Sequence, residues 1–186
     1  GSHLPDVSLL APVFGSSGSP VCYVANRAHH AEIGGISPGS MPAEARCLQE
    51  EGVVIDPQFL FRKGIDQVEE ISKLLINSPY PTRQLAENKA DLSAQVASLL
   101  QGVSSMETLL SSFSEDEISF QMKALREESK ASCLQYLQNL GALELAGEQY
   151  LDDGDVLKLK VSILRDRAIF DFSGTSPVRS DNLNAT

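Results

Sequence analysis

Residues 82–141 read TRQLAENKADLSAQVASLLQGVSSMETLLSSFSEDEISFQMKALREESKASCLQYLQNLG, and this stretch decides the fold. Its first half predicts one long amphipathic helix, because apolar side chains recur at three- and four-residue steps. Thr82 is expected to cap the start of that helix. The apolar series consists of Leu85, Leu92, Val96, Leu99, Leu100, Val103, Met106, Leu109, Leu110 and Phe113.

A second long helix is predicted to follow from Ser114. Ser114 with Glu117 three residues later is the pattern of a capping box, and Gly141 is expected to end the helix. Two long amphipathic helices joined by a short turn predict an antiparallel helical hairpin, whose apolar faces pack on each other or on a sheet. The apolar series of the second helix is Ile118, Met122, Leu125, Cys133, Leu134, Leu137 and Leu140.

A shorter helix is predicted before this hairpin. It starts at Ile65 and continues through Val68, Ile71, Leu74 and Leu75, which fit one helical face. The segment 77–81, with two prolines, is expected to end it.

Strands are predicted on both sides of the helices. The apolar runs 7–14 and 20–25 flank a loop rich in glycine and serine, which predicts a β-hairpin. Residues 148–151, 156–163 and 167–172 alternate apolar and polar side chains, as antiparallel strands with one solvent-exposed face do. The sequence therefore predicts an α+β protein with antiparallel β strands at both ends flanking a long antiparallel helical hairpin.

This reading divides the chain into three segments. They are a β-rich segment at 1–64, the helical hairpin at 65–141 and an antiparallel β segment at 142–186. A length of 186 residues suits one sizeable domain.

The composition limits which partners and which cellular compartment are expected. The net charge of −10 argues against nucleic acid, because a basic face would be needed to neutralise phosphates. No apolar run of membrane-spanning length and no signal-peptide pattern occur, so no membrane is expected and the cytoplasm is the predicted location. Three cysteines without C-x-x-C spacing predict buried thiols rather than disulfides.

The densest chemistry lies in residues 25–42, ANRAHHAEIGGISPGSMP, which contain His29, His30 and Glu32. His3 lies three residues before Asp6, so every imidazole of the chain has a carboxylate close in sequence. Imidazole nitrogen and carboxylate oxygen together favour Zn, Mn, Fe or Ni. Neighbouring residues of a strand point to opposite faces, so only one of the paired histidines can face a given site.

Four small residues are candidates for contact with a substrate. Gly34 and Gly35 permit close backbone approach to a ligand, and their amides could hold an anion. No lysine of a phosphate-binding loop follows them, so ATP is expected to bind elsewhere. Ser173 and Thr175 follow a predicted strand and could line a substrate.

Several motifs in order resemble the hydantoinase B and 5-oxoprolinase family, which is related to acetone carboxylase subunits. The resemblance covers essentially the whole chain, and since family members are much longer, the chain is expected to be a fragment. The family usually has aspartate in place of Glu32, so Glu32→Asp is expected to be tolerated. The motifs are GSHLPDV at 1–7, NRAHHAEIGG at 26–35, SPGSMP at 37–42, LQEEG at 48–52, NKADLSAQV at 88–96, YLDDG at 150–154, DFSGTSP at 171–177 and NLNA at 182–185.

The resemblance implies a metal site and its ligands. A divalent metal, Mn, Zn or Fe, is expected on His3, Asp6 and one of His29 and His30. A further carboxylate that the family places before His3 is not in this chain.

The resemblance also implies a reaction. A hydantoinase A-like ATP-binding subunit or domain would activate 5-oxoproline or a hydantoin, and this part would hydrolyse the ring, so the isolated fragment is expected to be inactive. One alternative is a non-catalytic scaffold or assembly segment of such a complex. Another is a relative of the ketone carboxylases, and association into a homo-oligomer is a further option.

Overall fold

The computed structural model describes residues 3–181 and residue 184. Antiparallel strands lie at both ends of this part of the chain and helices lie between them, so the predicted α+β class is confirmed. The elements in chain order are β1 (Asp6–Phe14), β2 (Pro20–His29), α1 (Leu48–Glu51), β3 (Phe61–Arg62), β4 (Ile65–Asp66), α2 (Val68–Ile76), α3 (Leu85–Ser112), α4 (Glu115–Leu140), β5 (Leu143–Tyr150), β6 (Val156–Ile163) and β7 (Ala168–Asp171).

The chain forms two compact units. The first comprises Gly1–Phe113 with Arg179–Thr186, and the second is Ser114–Val178. The boundary falls between α3 and α4, inside the segment 65–141 that the sequence analysis treats as one. The division into three segments stays a prediction.

The first unit is built on the hairpin of β1 and β2, which was predicted. The two strands pair antiparallel with Asp6 opposite His29, and α3 packs on one face of the hairpin. The approach is close, because a Cβ atom at Gly102 of α3 would lie 2.6 Å from Cγ1 of Val24. The adjoining buried core consists of Ile33, Val53, Ile71, Leu75 and Leu92.

The short helix α2 starts later than expected. The sequence predicted helix from Ile65, but Ile65 belongs to β4, which pairs with β3 across a tight turn. Lys63 and Gly64 both have positive φ, 52° and 77°, as a two-residue hairpin turn requires. The Asp66 carboxylate then accepts the backbone N–H of Val68 at 2.7 Å, and the helix begins there.

The starts of the two long helices differ in how well they were predicted. The capping box at Ser114 is confirmed, with Ser114 Oγ accepting from the Glu117 N–H at 3.2 Å. The expected cap at Thr82 is wrong, because α3 begins at Leu85 with Gln84 as its N-cap residue and no cap from the Gln84 side chain. Thr82 lies two residues before the N-cap, and its hydroxyl accepts from the Gln84 N–H at 3.3 Å.

The second unit contains α4 and a sheet in the order β5-β6-β7. All eight residues of β5 are exposed. The apolar face predicted for α4 is mostly uncovered: Ile118 is buried, but Leu125 is 63% exposed and Leu140 is 42% exposed. The second unit therefore presents large apolar surface.

Two further sequence expectations can be compared with the described residues. Among them, no helix combines the length and the apolar character that crossing a membrane requires. The three cysteines are free thiols, but the expectation that all are buried is wrong, since Cys47 and Cys133 are exposed.

Candidate functional site

The open end of the β1–β2 hairpin brings together Asp6 and His29. They are opposite each other in the strand register, and the His29 Nδ1–H donates to Asp6 Oδ1 at 2.8 Å. This hydrogen bond lowers the pKa of Asp6 against the opposing effect of desolvation, and the positive charge of Arg27 lowers it further. A carboxylate can only accept, so Asp6 fixes the proton on Nδ1 of neutral His29 and leaves a lone pair on Nε2.

His3 lies beside this pair. Its ring stands edge-on to the His29 ring, with centroids 5.6 Å apart and an interplanar angle of 78°. His3 Nδ1 is hydrogen-bonded to Ser40 Oγ at 2.6 Å, in the loop that follows the two glycines. Within the described residues, neither Nε2 atom makes a hydrogen bond, so both imidazoles keep one nitrogen for another partner.

The chemistry of this donor set fits a divalent transition metal. Two imidazole nitrogens and a carboxylate are its usual protein ligands, and a second hydrogen bond commonly orients a ligand imidazole as Asp6 and Ser40 do here. Across residues 3–181 and 184, no three His, Cys, Asp or Glu side chains are already arranged as metal ligands. In the arrangement seen, Asp6 bonds to Nδ1 of His29 and so orients that imidazole, and a ligand role for Asp6 itself stays a prediction.

His30 lies on the other face of the hairpin. It is 1% exposed, and its Nε2 is 3.1 Å from Oε1 of Gln95 on α3. Its Nδ1 has no hydrogen-bond partner among the described residues and lies 3.8 Å from Oδ2 of Asp91. Of the two histidines between which the sequence could not choose, the geometry favours His29 as the one that shares a site with His3 and Asp6, and it does not support His30.

Glu32 has a structural role that the sequence did not predict. Its carboxylate is buried at the N-terminus of α3, where it accepts the backbone N–H groups of Arg83 at 2.9 Å and Gln84 at 3.2 Å. It also accepts from the Gly34 N–H at 2.8 Å and from the Thr82 hydroxyl. A carboxylate from a distant segment thus does the capping that Thr82 was expected to do.

Burial raises the pKa of Glu32, but its hydrogen bonds from Thr82, Gly34, Arg83 and Gln84 outweigh burial and hold the pKa below its ordinary value. Arg83 adds a guanidinium nitrogen 3.4 Å from Oε2. Glu32 is therefore an ionised structural residue that joins the loop after β2 to the start of α3. The nearness of Glu32 to Gly34 in sequence was the one signal available for this role.

Gly34 and Gly35, predicted to contact a substrate, are buried inside the first unit. Their N–H groups are already used, by Glu32 Oε2 and by the Tyr80 carbonyl at 3.0 Å. Both have positive φ, and a Cβ atom would lie 2.3 Å from Tyr80 O at Gly34 and 2.6 Å from Glu51 O at Gly35. Their geometry indicates tight backbone packing and offers no free donor to an anion.

Ser173 and Thr175 lie in the second unit, after β7. The Ser173 N–H donates to Asp171 Oδ1 at 2.9 Å, and hydrogen bonds from Ser173 lower the pKa of Asp171. The Thr175 hydroxyl accepts from the Lys158 N–H at 3.0 Å and donates to the Lys158 carbonyl at 3.1 Å. Thr175 therefore fastens the turn to β6, whereas Ser173 borders an open depression of about 340 Å³. A substrate role for either stays a prediction.

Comparison with known proteins identifies the family. A model described as hydantoinase B/oxoprolinase matches residues 1–186, and the chain belongs to this family. Two relatives are 5-oxoprolinase of Saccharomyces cerevisiae, 39% identical, and 5-oxoprolinase 1 of Arabidopsis thaliana, 35% identical, each over all of this chain. The chain spans only 15% and 16% of their lengths.

A solved structure is also similar. The crystal structure of an ATP-dependent caprolactamase from Pseudomonas jessenii matches 91% of this chain and 30% of its own chain, with a TM-score of 0.80 and 25% identity. The resemblance seen in the sequence motifs is thus confirmed at the level of family and fold.

Proposed function

We propose that the full-length protein carrying this chain opens a cyclic amide in an ATP-dependent reaction, with 5-oxoproline or a hydantoin as the substrate class. The names of the relatives support this proposal, since two are 5-oxoprolinases and the similar structure is an ATP-dependent lactam hydrolase. All three reactions would open an amide within a ring. ATP would be used by a hydantoinase A-like subunit or domain, because this sequence has no phosphate-binding loop.

The observation that carries the proposal is the cluster of Asp6, His29 and His3. A divalent metal bound there would supply a water of lowered pKa and a positive charge near the developing oxyanion. Asp6 holds the His29 tautomer, and Ser40 orients His3, so both Nε2 atoms are prepared to serve as ligands.

The test uses the full-length protein with its ATP-binding partner. His29→Ala and Asp6→Ala should abolish both ATP-dependent ring opening of 5-oxoproline or hydantoin and the metal found by elemental analysis. Asp56→Ala is the matched control, because Asp56 is an exposed aspartate of the same unit. Variants that lose turnover while keeping stoichiometric metal would refute the ligand assignment, and variants that keep both would place the site elsewhere.

A second candidate function is that of an assembly segment. The observation that favours it is the exposed apolar surface of the second unit, where Phe170 is 61% exposed and Phe172 is 60% exposed. Charged substitutions there should then disrupt the complex with the ATP-binding partner in size-exclusion chromatography. If Phe170→Glu leaves the complex intact, the assembly reading is wrong for this surface.

A further inference from the structure

One side chain on α3 is bonded to both strands that carry the Asp6–His29 pair. Gln95 is a residue of α3 and is 5% exposed, in the region where α3 packs on the hairpin of β1 and β2. Its Nε2 donates to the Val7 carbonyl at 3.0 Å, and its Oε1 is 3.1 Å from His30 Nε2. Val7 follows Asp6 directly and His30 follows His29 directly, so Gln95 bonds to the residue next to each member of the pair.

The amide of Gln95 is chemically matched to these two partners. The Val7 carbonyl can only accept, so the NH2 group must face it, and the amide oxygen is left for His30. His30 Nε2 must then carry a proton and donate. Leucine would satisfy neither partner and glutamate would satisfy only His30, so both substitutions leave a buried polar group unpaired.

Two more hydrogen bonds close the same end of the hairpin. Asn26 Nδ2 donates to the backbone carbonyl of Gln95 at 2.7 Å, and the His30 N–H donates to the Pro5 carbonyl at 2.9 Å. The start of β1 and the end of β2 are therefore held to each other and to α3. The opposite face of the hairpin carries Asp6 and His29, whose side chains make no hydrogen bond to α3 within the part of the chain that the structure describes.

We propose that Gln95 is a positioning residue for the Asp6–His29 pair and acts from the opposite face of the hairpin. The inference rests on the proposed function, because it takes the pair to serve metal binding. Gln95 sets the relative position of Val7 and His30, and through the strands it sets the distance between the Asp6 carboxylate and the His29 imidazole. Groups that hydrogen-bond directly to a metal ligand affect metal affinity about 10- to 100-fold, and Gln95 acts one residue further from the ligands.

The experiment measures Mn²⁺ affinity and thermal stability separately in the metal-free full-length protein. Gln95→Leu should weaken Mn²⁺ binding about 10-fold, the low end of that range, measured from the spectroscopic signal of unbound Mn²⁺. Leu99→Ala is the control, because Leu99 is buried one turn further along the same helix and does not bond to either strand end. Leu99→Ala should lower the unfolding temperature at least as much and leave Mn²⁺ affinity unchanged.

A second variant guards against loss of folding. Gln95→Glu is nearly isosteric and keeps the acceptor for His30, but loses the donor to Val7, and it should also weaken Mn²⁺ binding. If both variants that fold bind Mn²⁺ as Leu99→Ala does, Gln95 is not a positioning residue.

Failure of the proposed function gives a different result. If His29→Ala binds Mn²⁺ as well as the unaltered protein, the pair is not the metal site, and the inference is then judged by crystal structures. Separation of Asp6 Oδ1 from His29 Nδ1, 2.8 Å apart here, in Gln95→Leu but not in Leu99→Ala would support it. An unchanged distance in Gln95→Leu would overturn it.

Discussion

The Glu32 carboxylate accepts the backbone N–H of Arg83, a residue 51 positions further along the chain, at 2.9 Å. This hydrogen bond, with the one from Gln84, joins the loop after β2 to the residues that lead into α3. Removing the charge should therefore loosen both segments together.

Glu32→Gln should lower the local free energy of unfolding by about 1–3 kcal/mol for each buried N–H that it leaves unpaired. The reason is that the amide NH2 group of glutamine would face donors. Hydrogen exchange of peptides covering residues 30–36 and 82–92 measures this. Glu32→Asp keeps the carboxylate and should cost less, which agrees with the aspartate expected from the family resemblance. Equal exchange in the two variants would show that the charge does not matter.

The lowered pKa of Glu32 makes the stability of the folded protein depend on pH. A carboxyl whose pKa is lower in the folded state contributes stability that is present above its ordinary pKa, 4.5, and is lost as pH falls through the folded value. The unfolding temperature should fall as the pH drops below about 4.5, and should fall less steeply in Glu32→Gln. Asp6 contributes in the same direction, so Asp6→Asn should flatten the curve as well. Parallel curves for the variant and the unaltered protein would contradict this.

The two glycines after Glu32 should tolerate no side chain. Gly34→Ala would place Cβ 2.3 Å from Tyr80 O at positive φ, and overpacking with backbone strain should cost about 3 kcal/mol or more. Gly39→Ala is the control, since φ is +97° there but no atom lies within 4 Å, and it should cost about 1 kcal/mol. Soluble yield and hydrogen exchange report both. Equal losses would mean that φ alone matters and the close approach to Tyr80 does not.

Alanine substitutions of His29 and His30 should differ in their effects on stability and on metal binding. His30→Ala removes a buried ring and leaves Gln95 Oε1 without its donor, so local stability should fall by about 2–4 kcal/mol. The His29 side chain is 49% exposed, and His29→Ala should change stability little while it removes metal binding. Hydrogen exchange and metal analysis of the two variants make the comparison. The opposite pattern would exchange their roles.

This chain expressed alone should neither hydrolyse ATP nor open 5-oxoproline. It lacks a phosphate-binding loop and spans 15% of the yeast 5-oxoprolinase that it resembles. Coupled assays for phosphate and glutamate release test this, with the full-length protein as positive control. ATP-dependent glutamate release by the 186-residue chain would disprove it.

Local signals in the sequence were enough for most of the fold. Ser114 and Glu117 lie in one turn, and the apolar spacing of α3 repeats over 28 residues, so neither depended on distant partners. The start of α2 was missed because the turn at Lys63 and Gly64 pairs two strands of two residues, too short for a periodic pattern.

The candidate site was predictable only in part, for a physical reason. Strand alternation showed that His29 and His30 point to opposite faces, but the choice between them needed the register with β1 and the position of Gln95, 65 residues beyond His30. The role of Glu32 depends on Thr82 and Arg83 in the same way. No local pattern specifies such pairings.

The segment 30–35 holds three separate parts of the chain together, through Pro5, Gln95 and Arg83. Most damaging substitutions there would therefore act in a cell by lowering the amount of folded protein, which chaperones and proteases remove, rather than the turnover of each surviving molecule. Growth-based screens would score a loss of a structural bond and a loss of a catalytic ligand alike. Protein abundance has to be measured beside growth to tell an unstable variant from an inactive one.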